Sequence, residues 1–223
     1  MSESWPWLAL ALLGAYHGLN PAMGWLFAVA LGLQERRRGA VLQALPPIAL
    51  GHALSILLTV LIVGAAQIMI PLDALRYASA SVLMLFGLYK LVRHKHPRWV
   101  GMRVGFRDLT AWSFLMSSAH GAGLMLVPVV LRLSEPMQGA HDQGAHAAHA
   151  NSIGYATVLA DLAAVGLHTL AMFAVMGAIA VVVYEKLGVM ILKRAWFNLD
   201  LLWAGSLVGA GVIALVVWSG WGF

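Results

Sequence analysis

The chain has no cysteine among its 223 residues. This excludes disulfides, thiolate metal sites and thiol catalysis. Charge is scarce too: Asp, Glu, Lys and Arg make up 10% of the residues, against about a quarter in soluble domains. No Walker-type loop appears, so nothing points to nucleotide use. What is present instead is apolar, at 61% of the residues with a mean hydropathy of +0.82. A soluble globular chain is thereby ruled out. The nine histidines equal the acidic residues in number and exceed the five tyrosines. That imbalance is the first functional clue.

The apolar residues fall in six blocks, over residues 5–33, 45–70, 72–92, 109–133, 153–183 and 196–221. A membrane-crossing helix needs about 20 residues, whereas a barrel would alternate apolar and polar residues strand by strand. The sequence therefore predicts an all-α integral membrane protein with six transmembrane helices in one domain, residues 1–223. The first block has no basic segment before it, so it reads as a retained helix and not a cleaved signal. Trp5, Trp7, Trp99, Trp112, Trp196, Trp218 and Trp221 stand near block ends, as interfacial anchors do.

Basic residues set the expected orientation. Arg36, Arg37 and Arg38 lie in the first loop, and Lys90, Arg93, Lys95, Arg98, Arg103 and Arg107 in the third. Lys186, Lys193 and Arg194 lie in the fifth, leaving only Arg76 and Arg132 for the opposite side. The positive-inside rule puts loops one, three and five in the cytoplasm and both termini outside. This bias accounts for the net charge of +5 and removes any reason to expect nucleic acid as a partner.

The two halves echo each other. Block one carries Tyr16-His17-Gly18-Leu19-Asn20-Pro21-Ala22-Met23, and block four carries Ala119-His120-Gly121-Ala122-Gly123-Leu124-Met125. Block two carries Gly51-His52-Ala53-Leu54, and block five Gly166-Leu167-His168-Thr169-Leu170. Three helices per half imply a 3+3 inverted repeat, with repeat A over residues 5–92 and repeat B over 109–221. Such repeats with interrupted helices are a transporter signature, the substrate site lying at the repeat interface. Pro21 with Gly18 should kink or break the first helix, and Gly121, Gly123 and Pro128 offer the same weakness in the fourth.

His17, His52, His120 and His168 sit inside apolar blocks, each on a small or polar helical face. Ionisable groups in lipid normally face the bundle interior or a cavity. Imidazole suits nickel, copper and zinc, so four converging histidines would hold a transition-metal ion as a transported substrate. Asp161 shares the His168 face two turns away and reads as an entry-side ligand or proton acceptor. Met23, Met125, Met172 and Met176 recur beside the histidines, as soft ligands or as ordinary core.

These residues resemble a known family. His17-Gly18-Leu19-Asn20-Pro21-Ala22-Met23 is similar to the His-x4-Asp-His signature of nickel/cobalt permeases (NicO type) in the lysine-exporter superfamily. Gly51-His52 resembles the Gly-His element of their second helix. Ala22 and Met23 stand where the signature carries Asp and His, leaving His17 with Asn20 as its polar residues. The resemblance implies a multi-pass inner-membrane transporter of a cation such as nickel or cobalt.

Residues 134–151 form a polar, low-complexity loop in which His141, Asp142, His146 and His149 have a composition suited to metal capture on the outer side. Its His-x4-His-x2-His spacing also resembles one box of membrane di-iron oxygenases, but those enzymes need several boxes on the cytoplasmic side. The leading expectation is therefore a non-enzymatic, carrier-like or proton-coupled metal transporter, alone in the bilayer or with a second copy or an accessory subunit. The rival expectations are a non-transporting subunit holding haem between paired histidines (His17/His52 or His120/His168) or anchoring a partner, and an exporter of a small organic solute.

Overall fold

The computed structural model describes residues 4–67, 69–92, 105–133, 148–187 and 199–218. These residues are helical, with no strand among them. Helix α1 spans Trp5–Leu19, a 3-10 turn follows at Pro21–Met23, and α2 spans Trp25–Glu35. Next come α3 (Arg38–Ala66), α4 (Leu72–Val92), α5 (Phe106–Ala119) and α6 (Ala122–Leu133). Helix α7 spans Ala148–Val182, closes in a π-helical turn at Val183–Leu187, and is followed by α8, Leu199–Trp218.

The first apolar block is two helices, and the reason lies in four residues. Pro21 has no N–H and pushes the residue before it out of the helical region; Asn20 accordingly sits at φ −73°, ψ 119°. The Asn20 side chain accepts the Ala22 N–H at 3.0 Å and so caps the 3-10 turn. Gly24 then adopts φ 126°, a conformation that an L side chain rarely enters. Across the break, the Trp25 indole donates to the Leu19 carbonyl at 3.1 Å, satisfying an acceptor that the end of α1 leaves open.

The fourth block breaks at the matching place. Gly121 takes φ 70°, and the chain bends by 63° between α5 and α6. Gly123 and Pro128, the other candidates for the break, are absorbed inside α6. His120, next to Gly121, ends α5, with the Nδ1 hydrogen donated to the Met116 carbonyl at 2.7 Å.

The stretch between the first two blocks is shorter than the sequence suggests. Arg36, in the left-handed conformation at φ 53°, ends α2, and α3 starts two residues later at Arg38. Residues 38–44 are therefore helix, and α3 runs through Pro46 and Pro47. Block five likewise starts earlier as α7, at Ala148, whereas block three coincides with α4. Among the described residues, Arg38–Ala66 and Val158–Lys186 are long and apolar enough to cross a membrane, and the bent pair α5–α6 makes a third if it is one span.

Packing exchanges the halves. Helix α1 packs mainly on α7, α5 on α3, and α4 on α8. The first helix of each half therefore rests on the second helix of the other. Glycines allow the approach. A Cβ at Gly14 would strike the His168 carbonyl, and one at Gly51 would strike the Thr110 carbonyl and come within 2.8 Å of the Phe114 nitrogen. Small residues bring helices close in this way in membranes, where apolar burial offers little drive.

The distribution of polarity is inverted relative to a soluble protein. Leu8, Leu61, Ile62, Leu115, Leu170 and Ile213 are exposed, whereas His17, His52, His168, Ser55, Ser113 and Ser117 are buried. An apolar exterior around a polar interior suits a lipid environment. One exposed ion pair, Arg38 to Glu185 at 3.0 Å, links the start of α3 to the π-helical turn. At such exposure it contributes about 1 kcal/mol or less.

Candidate metal centre

Three of the histidines meet. His17 comes from the last turn of α1, His52 from the middle of α3 and His168 from the middle of α7, each with 0% of its surface exposed. One nitrogen from each lies within 4.8 Å of the others. The His17 ring stands edge-on to both partners, with centroids 5.3 Å from His52 and 4.8 Å from His168. The His52 and His168 rings are nearly parallel, at 8°, and their Nε2 atoms are 3.3 Å apart.

Hydrogen bonds orient the rings. Nδ1 of His17 lies 2.7 Å from the Leu13 carbonyl of its own helix. Nδ1 of His168 lies 3.2 Å from the Leu10 carbonyl, across on α1. A carbonyl only accepts, so both Nδ1 atoms carry the hydrogen and both neutral rings present a lone pair at Nε2. His52 differs: its Nδ1 partner is the Ser117 hydroxyl on α5, at 2.8 Å, which can donate or accept. Outer groups that hold one ring nitrogen and aim the other are the usual support of a histidine metal ligand.

A hydroxyl seam surrounds His52. Ser113 donates to the Ile48 carbonyl at 2.6 Å, Ser55 pairs with Ser118 at 2.9 Å, and Thr59 donates to the Ser55 carbonyl at 3.1 Å. These bonds join α3 to α5 and satisfy polar groups that would otherwise be costly to bury. They fix the height of His52 against its neighbours.

The remaining sequence candidates are placed differently. His120 is buried at the α5–α6 break, close enough to His17 to interact electrostatically, but it is not one of the three converging residues. Three of the four expected histidines converge, while His120, whose Nδ1 bonds to the Met116 carbonyl of its own helix as that of His17 does to Leu13, stands outside the group. Asn20 caps the 3-10 turn and does not join the group. Met23 packs with Leu83, Met125 and Leu207, while Met172 and Met176 pack with Trp25 and Ile48. These methionines are core residues. Asp161 is half-buried two turns from His168 and outside the group. His141 and His146 lie outside the described residues, and His149 lies in the first turn of α7 with its side chain undescribed.

Sequence reasoning missed the orienting groups. The carbonyls of Leu10 and Leu13 leave no mark in a residue pattern. Ser117 lies one helical turn before His120 in the sequence, but nothing in the linear order ties it to His52. No protein-family model, curated protein or solved structure matches the chain.

Proposed function

We propose that this chain is a multi-pass inner-membrane transporter that carries a transition-metal cation through a histidine-lined site at the interface of two inverted three-helix repeats. The observation that carries this reading is the convergence of His17, His52 and His168. They come from both halves of the chain, are fully buried, and include two rings with lone pairs directed by backbone bonds. A metal–nitrogen bond of about 2.0–2.1 Å places neighbouring ligand nitrogens roughly 3.3–3.6 Å apart, and the His52–His168 pair is at 3.3 Å.

The break in the first helix of each half supports a carrier, since interrupted helices at matching places flank substrate sites in inverted-repeat transporters. In this reading the six apolar blocks are six spans, with both termini outside and the loop at residues 134–151 gathering or receiving the ion. Two axial nitrogens on a haem iron stand about two bond lengths apart, roughly 4 Å, with a macrocycle between them. The closer approach of His52 to His168 favours a bare ion over haem.

Accumulation of silver, copper, zinc, nickel and cobalt in cells expressing the chain tests the proposal. His17→Gln, His52→Gln and His168→Gln should each abolish the change in accumulation that the wild type produces. Unaltered accumulation of all five ions in the variants would overturn it.

A further inference from the structure

The histidine site, taken as a metal site, also says which charge it accepts. We infer that its substrate is a soft monovalent cation, of the cuprous or silver type, and not a divalent ion. The three ligands are imidazoles, and among the described residues no Asp or Glu belongs to the group. Asp161, on the same helix as His168, is seven residues and about 10.5 Å away along the axis.

The cost of bringing an ion into a low-dielectric interior rises with the square of its charge. A divalent cation of equal size thus costs about four times as much as a monovalent one, and neutral ligands return none of it as charge neutralisation. Coordination number points the same way. Three neutral nitrogens complete a trigonal site for a soft d10 monovalent ion, whereas zinc held by three histidines needs a fourth ligand such as water, and hard divalent ions take six oxygens. Trigonal bonds of about 2.0 Å need nitrogens roughly 3.5 Å apart. The His52–His168 pair is already at 3.3 Å, and the group as a whole, spanning 4.8 Å, reaches this with a small inward movement of His17.

The test is calorimetric titration of the purified full-length chain in detergent with Ag+, and separately with Zn2+ and Co2+. Ag+ should bind one per chain, more tightly than either divalent ion by about two orders of magnitude. His17→Gln, His52→Gln and His168→Gln should each weaken it by at least roughly tenfold. The three variants carry the same comparison, so one that fails to fold leaves two. Zn2+ or Co2+ binding as tightly as Ag+, with histidine dependence, overturns the monovalent inference and leaves the metal site standing. Ag+ binding that is unchanged in all three variants belongs to the eleven methionines and overturns the inference. Absence of histidine-dependent binding for every ion overturns the metal site itself.

Discussion

The Ser117 hydroxyl lies 2.8 Å from Nδ1 of His52, although 65 residues separate them in the chain. It is the one orienting partner of the triad that both gives and takes a hydrogen. With Nε2 of His168 acting as an acceptor, the 3.3 Å contact requires His52 to donate from Nε2, and Ser117 then donates to Nδ1. In the proposed ion-bound site the His52 lone pair must be at Nε2, so Ser117 becomes the acceptor. Ser117→Ala should therefore weaken ion binding by roughly 10–100-fold, the usual effect of losing such a support. Ser117→Thr, which keeps the hydroxyl, should retain most of the affinity. Titration of the two variants checks this, and equal affinities would sink the idea.

Gly14 and Gly166 give a second prediction. A Cβ at Gly14 collides with the His168 carbonyl and stands 3.0 Å from the Ala171 Cβ, whereas one at Gly166 meets nothing within 4 Å. Gly14→Ala should lower stability by about 1–3 kcal/mol through overpacking and loosen the triad. Gly166→Ala on α7 should be neutral or stabilising, by up to about 1 kcal/mol, through helix propensity. Thermal unfolding in detergent distinguishes them.

At the second helix break, Gly121 holds φ 70° and a Cβ there would sit 3.1 Å from the Phe86 ring. Gly121→Ala should cost roughly 1–2 kcal/mol from the left-handed backbone alone. The neighbouring helical Ala119 carries no such constraint, so Ala119→Ser should have little effect on the melting temperature. Equal shifts for the two variants would count against the break.

Orientation is open to direct labelling, because the chain carries no cysteine of its own. Asp73, at the start of α4, and Glu35, at the end of α2, have side chains 82% and 47% exposed. A membrane-impermeant thiol reagent added to intact cells should label Asp73→Cys and spare Glu35→Cys. The reverse pattern would invert the proposed topology.

Much of this arrangement was legible in the linear order, for specific reasons. Pro21 and Gly121 marked their breaks because each changes what the backbone itself can do. His17, His52 and His168 stood out because an ionisable residue in an apolar block needs a partner. His120 and His17 look alike in sequence and each bonds to a carbonyl of its own helix, so the linear order could not tell that only His17 joins His52 and His168. The start of α3 was also hidden: charged residues 36–38 read as a loop, whereas a single left-handed residue, Arg36, makes the whole turn. Nor does periodicity reveal that α1 rests on α7, which is a choice between equally apolar faces decided by glycines in three dimensions.

The exchange of helices between halves also bears on how the molecule is made. His168 reaches the carbonyl of Leu10 across 158 positions of chain. Helix α1 emerges from the ribosome well before α7, its main packing partner. Until α7 arrives, the Gly14 face of α1 lacks the His168 backbone it packs against. Helix α1 is thus made well before the partner against which it is seated. The triad cannot form before α7 is made, and a chain truncated before α7 lacks the site.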